Sequence, residues 1–284
     1  MTTAIKEFQY PNTVSQAASL LAKGRGKAIA LAGGTRLPRA FPPSAEVVVD
    51  VSSLPLRHIR ADSNWLRIGA LCTFEDLIAS PVLGRWAGGV IVETARLGTS
   101  APARAMGTVG GNIVRPFAIN NLPPLFLAFD AQVAYHDGLR ERAIPFSDLV
   151  KPELMRLMGT RALVTEVRIP LESRRWSGAA SRLARVPSDW DAVVNCVVLL
   201  EKKGGLCRKS SIALGAVTPK ALRFPQAEKL LEGKAIDEAL AREAARAVSA
   251  ALNPAARGVS KDYAKEASGV LVRRALLEAF ERAS

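Results

Sequence analysis

The residue pattern predicts an α+β fold, and three observations carry that reading. Short apolar strands alternate with helical stretches between Phe8 and Asp50. Two glycine turns, Leu31-Ala32-Gly33-Gly34-Thr35-Arg36 and the segment from Ala105 to Asn112 (A-M-G-T-V-G-G-N), interrupt apolar runs. Beyond Pro225 the apolar spacing is helical throughout.

Element by element, Phe8 to Pro11 is a short extended entry. Thr13 can N-cap a helix through about Gly24, with Val14, Ala17, Ala18, Leu20 and Leu21 as its apolar faces. Lys27 to Leu31 is a short buried strand that runs straight into the first glycine turn, and Glu46 to Asp50 is the next strand. His58-Ile59-Arg60 and Trp65 to Ala70 form a hairpin around Ala61 to Asn64. Thr73 caps a helix through Ile78, with Glu75 and Asp76 in its first turn, and Ala87 to Leu97 is a second helix. Pro116 to Pro124 is irregular, Leu125 to Ala128 is an apolar stretch, and Gln132 to Tyr135 and Leu163 to Ile169 are strands. Arg174 to Trp190 is basic and loop-like. Ala192 to Leu200 and Ser210 to Val217 form a strand pair with a turn at Lys202 to Gly205. Helices over Pro225–Leu231, Ile236–Leu252 and Lys261–Ala283 complete the chain.

The two glycine turns are the candidate ligand-binding elements. Glycine lacks a Cβ, tolerates positive φ and lets backbone N–H groups approach an anion. One Gly-Gly pair is equally the mark of a tight turn between strands. Two such turns in one chain suggest two loops meeting on one diphosphate. There is no G-x-G-x-x-G and no G-x-x-x-x-G-K-[ST], so neither a Rossmann nor a P-loop reading applies.

Composition narrows the rest. The three cysteines, Cys72, Cys196 and Cys207, form no C-x-x-C, which argues against a disulfide framework, a zinc site or an iron–sulfur cluster in this chain. The net charge is +13, yet the basic residues are spread along the chain and aromatics make up only 6%. That disfavours nucleic acid and fits a basic surface facing an acidic protein subunit. The start M-T-T-A-I-K-E-F has no apolar signal region and no apolar run reaches membrane-spanning length; a cytoplasmic protein is expected.

The order of parts is itself informative: A-G-G-T-R-L, then G-A-L-C-T-F-E-D-L, then G-T-V-G-G-N-I, then R-I-P, then S-I-A-L-G-A-V, then V-L-V-R-R-A-L. From about Phe8 to Ala279 this resembles the FAD-binding medium subunit of the molybdenum hydroxylases, the carbon monoxide dehydrogenase-like and xanthine dehydrogenase-like enzymes. The resemblance implies a two-part FAD-binding domain of the vanillyl-alcohol-oxidase (PCMH) type, residues 1–53 and 54–172, and a C-terminal domain of antiparallel sheet and helices, residues 173–284. It implies a heterotrimer in which a molybdopterin large subunit oxidises substrate and a small subunit with [2Fe–2S] clusters relays electrons. The flavin of this subunit would then pass them to an external acceptor. Flavin chemistry belongs to the cofactor, so no catalytic residue and no metal ligand is expected here; His58 and His136 read as surface strand residues.

The resemblance also names site residues. Leu31, Ala32, Gly33, Gly34, Thr35, Arg36 and Leu37 match the first diphosphate loop, and Thr108, Gly110, Gly111 and Asn112 the second. Val164 matches a position near the flavin or adenine, while Ala192 is read as packing only. Arg36 stands where the family usually has Asp, Ser or His; a guanidinium there could pair with the diphosphate or point to solvent. Asn121 stands where the family often has a ribose-binding Asp, Arg182 where it has a Lys approaching the flavin ring, and Ser181 where an aromatic residue is common. These departures keep open an alternative, a flavin-free structural or assembly subunit of the same fold. A free-standing flavin oxidoreductase with its own substrate pocket is a third reading. The additional [4Fe–4S] cluster of some relatives needs four cysteines, and none is expected.

Overall fold

The computed structural model describes residues 5–35, 44–97, 100–114, 120–149, 151–186, 191–255 and 258–283. Its elements in chain order are β1 (Glu7–Gln9), α1 (Val14–Lys23), β2 (Ala28–Leu31), β3 (Val47–Asp50), β4 (Ile59–Ala61), β5 (Trp65–Gly69), α2 (Phe74–Ala79), α3 (Pro81–Gly84), α4 (Val90–Arg96), α5 (Ala101–Met106), α6 (Val109–Val114) and α7 (Leu122–Ala128). There follow β6 (Gln132–His136), β7 (Glu141–Pro145), α8 (Phe146–Leu149), α9 (Pro152–Leu157), β8 (Leu163–Pro170), β9 (Ser177–Ala184), β10 (Ala192–Lys203), β11 (Leu206–Gly215), β12 (Leu222–Arg223), α10 (Pro225–Leu231), α11 (Glu238–Ala251) and α12 (Lys261–Arg282). Compactness divides the chain into two units: residues 1–76, 101–115 and 131–169 form the first, and residues 77–100, 116–130 and 170–284 the second.

The first unit holds two sheets. A parallel sheet of order β1-β3-β2 is closed by α1, the crossover between β1 and β2. Thr13 caps α1 by accepting the N–H of Gln16 at 3.1 Å, which satisfies one of the orphan donors of the first turn. Ala17, Ala18 and Leu21 bury their side chains with Val49, Val51, Leu54 and Leu163. The second sheet has the order β4-β5-β8-β6-β7. Its buried carboxylate, Glu166 on β8, accepts from Arg67 and Arg168 at 2.6 Å each and contacts His58 Nε2 at 3.2 Å. Burial works to raise its pKa, but these three partners outweigh it and hold the carboxyl below its usual range.

The second unit is an antiparallel sheet of order β12-β11-β10-β9. Val194, Cys196, Val198 and Leu200 of β10 pack into one cluster with α10, α11 and α12. On the opposite face, Asn195 donates to Asn120 O at 3.2 Å and Ser211 to Ala128 O at 2.7 Å, so the segment ending in α7 covers that side. Cover on both faces explains why β10 reads as an unbroken apolar run rather than an alternation. Lys202 at its end donates to Ala283 O at 2.9 Å and lies over the Phe280 ring, holding the C-terminal end of α12.

Several expectations need correction. The helix expected over Ala87–Leu97 begins only at Val90, because Ala87, Gly88 and Gly89 take φ of +48°, +67° and +84°. Leu122–Ala128 is helical despite Pro123 and Pro124, since both sit in the first turn, where a missing N–H costs nothing. Within the basic stretch expected to be loop, Ser177–Ala184 is a strand paired along β10. Its Gly178, Ala179 and Ala180 have no β-branched side chain to announce it, and pairing makes the strand. β7, α8 and α9 carry no pattern that the sequence reading detected. Along α12, Ala275 and Leu276 are buried and Leu271 and Phe280 pack against them, but Val270 faces outward.

Candidate functional site

β2 ends at Leu31 beside Asp50 of β3, and the chain turns immediately through Ala32, Gly33, Gly34 and Thr35. Ala32, Gly33 and Gly34 are half-buried and Thr35 is exposed. The backbone N–H groups of these four residues have no acceptor among the described residues. Three of these donors, on Ala32, Gly33 and Gly34, belong to half-buried residues, and backbone N–H groups away from solvent are nearly always paired. Gly34 takes φ +64°, and a Cβ there would meet only Leu31 Cδ1 at 3.8 Å. Gly33 is the reverse case: a Cβ would lie 1.7 Å from Met106 O. Its missing side chain lets the first turn press against the end of α5.

The second glycine segment starts where α5 ends. Gly107 N–H donates back to Ala103 O at 2.7 Å, and Thr108 bridges to Thr73 in antiparallel register. Phe74 N–H donates to Gly107 O at 3.1 Å and Val109 N–H to Cys72 O at 2.8 Å. The chain then becomes helical. Gly110 N–H donates to Ala70 O at 2.8 Å, Gly111 N–H to Thr108 Oγ1 at 3.1 Å and Asn112 N–H to Thr108 O at 3.0 Å. Thr108 is thus the N-terminal cap of α6. Neither Gly110 nor Gly111 has a positive φ, and the amides of both are engaged within the chain. The left-handed backbone expected at these two glycines is therefore corrected: both are helical. Gly110 is needed for packing, since a Cβ would sit 2.9 Å from Ala70 Cβ and 3.0 Å from Ala70 O. Ala70 in turn donates to Thr165 O at 2.8 Å, so Val164 and Thr165 of β8 are tied through Ala70 to α6.

The structure thus brings Leu31 to Thr35 against the segment leading to Thr108, Gly110, Gly111 and Asn112, with Met106 at the junction. Arg36 and Leu37 lie outside the described residues. Val164 is 2% exposed on β8, opposite Tyr135. Asn121 and Arg182 belong to the second unit. Asn121 is buried before α7 and its Nδ2 donates to Thr94 O at 2.6 Å. Arg182 is half-buried on β9, opposite Asn195. The residues that the sequence reading missed are Ala70, Cys72 and Thr73, which hold the second glycine segment. They lie in G-A-L-C-T-F-E-D-L, a stretch whose apolar character did not reveal that its carbonyls would accept these amides.

The titrating groups near the turn offer no nucleophile. The Cys72 thiol donates to His58 O at 3.1 Å, and burial pushes its pKa up to about 11. Asp76 accepts from Arg57 at 2.8 Å through both carboxylate oxygens, and that pairing first, then the Thr73 contacts, lowers its pKa. It is occupied as a partner of the α2 first turn, accepting from Thr73 N–H at 2.8 Å. No three His, Cys, Asp or Glu side chains gather into a metal site among the described residues. What the turn does provide is open N–H donors and a glycine with space around it, which suits the diphosphate of a dinucleotide.

An α+β unit with such a turn, in a chain that goes on to a helix-backed antiparallel sheet, has the parts of the two-domain flavoprotein subunits to which the family models assign it. Residues 3–172 match the FAD binding domain in molybdopterin dehydrogenase, and residues 180–279 match the CO dehydrogenase flavoprotein C-terminal domain. The chain belongs to this family of FAD-binding medium subunits of molybdenum hydroxylases, and is thereby an FAD-dependent oxidoreductase subunit. It is 31% identical to the carbon monoxide dehydrogenase medium chain of Hydrogenophaga pseudoflava, over 97% of each chain. It is 29% identical to that of Afipia carboxidovorans, over 98% of this chain and 97% of the relative. The fold matches the solved carbon monoxide dehydrogenase from Hydrogenophaga pseudoflava lacking the Mo-pyranopterin moiety, with a TM-score of 0.91 over the whole of both chains. No helix among the described residues is long and apolar enough to cross a membrane.

Proposed function

We propose that this chain is the electron-exit subunit of a three-part molybdenum hydroxylase. Its FAD would take electrons from the [2Fe–2S] clusters of a small subunit, after a molybdopterin large subunit has oxidised the substrate, and deliver them to an external acceptor. The observation that carries this reading is the set of open amides on Ala32, Gly33, Gly34 and Thr35, on a turn that Gly33 seats against Met106. Bound FAD supplies the redox chemistry; the chain's own residues bind and orient it. The first turn would donate N–H groups to the diphosphate, with Arg36 and Leu37 continuing it in sequence. Thr108, Gly110, Gly111 and Asn112 would form the wall behind it, as packed backbone more than as donors. Val164 would lie near the ring system or adenine, Asn121 would accept from ribose, and Arg182 would stand by the flavin ring. In this reading the chain divides functionally at residues 53 and 172, and the complex works in the cytoplasm.

The purified chain is expected to be yellow and to release FAD on heating at about 1:1, as one diphosphate site requires. A folded, colourless protein that takes up no added FAD would instead support the flavin-free assembly subunit. The engaged amides of Gly110 and Gly111 are the observation favouring that second reading. Titrating Asn121→Ala and Arg182→Ala apoproteins with FAD, and measuring their midpoint potentials, tests those two roles. Unchanged affinity and potential would remove both residues from the site.

A further inference from the structure

Buried hydroxyl groups in this protein commonly donate to a backbone carbonyl. Thr94 Oγ1 donates to Val90 O at 2.8 Å, Ser173 Oγ to Pro170 O, Ser211 Oγ to Ala128 O and Ser268 Oγ to Ala264 O, these three at 2.7 Å. Thr165 on β8 is an exception. The residue is 5% exposed, and its Oγ1 has no hydrogen-bond partner among the described residues. Hiding a hydroxyl from water without a partner costs stability, so such a group is rare in a native protein and needs a physical reason.

β8 is irregular at this residue. Glu166 pairs with Ala134 and Val164 with Tyr135, so Thr165 between them opposes no residue of β6. One extra residue on one strand is a β-bulge, a device that re-aims side chains and is common beside active sites. The backbone of the same residue is tied toward the second glycine segment: Thr165 O accepts from Ala70 N–H, and Ala70 O accepts from Gly110 N–H, both at 2.8 Å. The next polar side chain of the strand is not available, since Glu166 is taken up by Arg67, Arg168 and His58. We propose that Thr165 Oγ1 is a cofactor-binding group that hydrogen-bonds a heteroaromatic ring edge of bound FAD. A hydroxyl both donates and accepts, so it can meet a ring nitrogen, a ring N–H or a ring carbonyl. The proposal rests on the FAD reading above and adds a polar contact beside Val164, whose own side chain offers only apolar surface.

The test compares the full-length Thr165→Val, Thr165→Ser and wild-type chains, each as apoprotein and during titration with FAD. Valine keeps the shape of threonine without the hydroxyl. In the apoprotein that change removes an uncompensated polar group, so Thr165→Val should melt at or above wild type. The same variant should bind FAD about 3- to 10-fold more weakly, the loss of one neutral hydrogen bond, and Thr165→Ser should recover most of the affinity. A merely structural residue would not move the two readouts in opposite directions. ADP then locates the contact. Equal weakening of ADP binding places the hydroxyl at the adenine. Wild-type ADP binding with a shifted absorption spectrum of bound flavin places it at the isoalloxazine. Wild-type FAD affinity in Thr165→Val would overturn this proposal and leave the flavin reading standing. A Thr165→Val apoprotein that melts below wild type would reveal an internal partner, such as a buried water, and overturn it too. A wild-type chain that binds no FAD would overturn the flavin reading itself and this proposal with it.

Discussion

The two glycine segments of the first unit have nearly the same composition and opposite structures. The turn at Ala32–Thr35 has amides with no acceptor among the described residues and carries one left-handed glycine, Gly34. The segment at Gly107–Asn112 commits the amides of Val109, Gly110, Gly111 and Asn112 and is helical from Val109. What separates them is their surroundings. The first turn leaves a strand end, where no carbonyl among the described residues accepts its N–H groups. The second lies against Ala70 and Cys72, whose carbonyls accept from Gly110 and Val109, while Thr108 accepts from Gly111 and Asn112. Glycine therefore serves exposure of backbone in one case and close packing of backbone in the other.

Substitutions that add one methyl group separate these roles. Gly33→Ala should have the largest effect, because its Cβ would lie 1.7 Å from Met106 O, a backbone atom and not the end of a flexible side chain. We expect a loss of about 4 kcal/mol or more, at the exceptional end of single substitutions, together with loss of FAD. Denaturant unfolding and flavin content would show it; a stable, yellow Gly33→Ala protein would mean that the two segments are not in contact. Gly110→Ala meets Ala70 Cβ and O at 2.9 and 3.0 Å. Overpacking costs about 1–3 kcal/mol, against a helix-propensity gain of about 1 kcal/mol, so a modest net loss is expected. Pairing it with Ala70→Gly should recover part of that loss, and equal stability of the single and double variants would remove Ala70 as the cause.

Gly34→Ala is the converse case. Space is open around it, so the cost is the left-handed backbone alone, about 1–2 kcal/mol. Because its amide is one of the open donors, FAD affinity should fall about tenfold as that backbone shifts. Stability reduced with affinity untouched would take this turn out of the cofactor site. The smallest effect is expected for Thr108→Val, which removes the acceptor of the Gly111 N–H. Gly111 is exposed and water replaces that bond, so the cost should be about 0.5–1 kcal/mol, with Thr108→Ser near wild type. A thermal melt suffices to rank the two.

Much of the fold was legible along the chain. The Thr13-capped helix, the β4–β5 hairpin, the Thr73-capped turn and the three C-terminal helices all follow from caps and apolar periods, which act within a few residues. The order of glycine segments and strand motifs likewise pointed to the family before any packing was known. Tertiary context decided the remainder. β9 exists because β10 pairs with it, and its small side chains carry no strand signal. Ala87 is buried and left-handed where local propensity would extend the helix. Whether a glycine amide stays open depends on a carbonyl brought near from elsewhere in the chain, as Ala70 is to Gly110 across the helices α2 to α5. The sequence by itself determined where glycine would be required, since only a missing Cβ meets either need. Which need each glycine meets was decided by the fold, because hydrogen-bond acceptors are supplied in space and not in sequence.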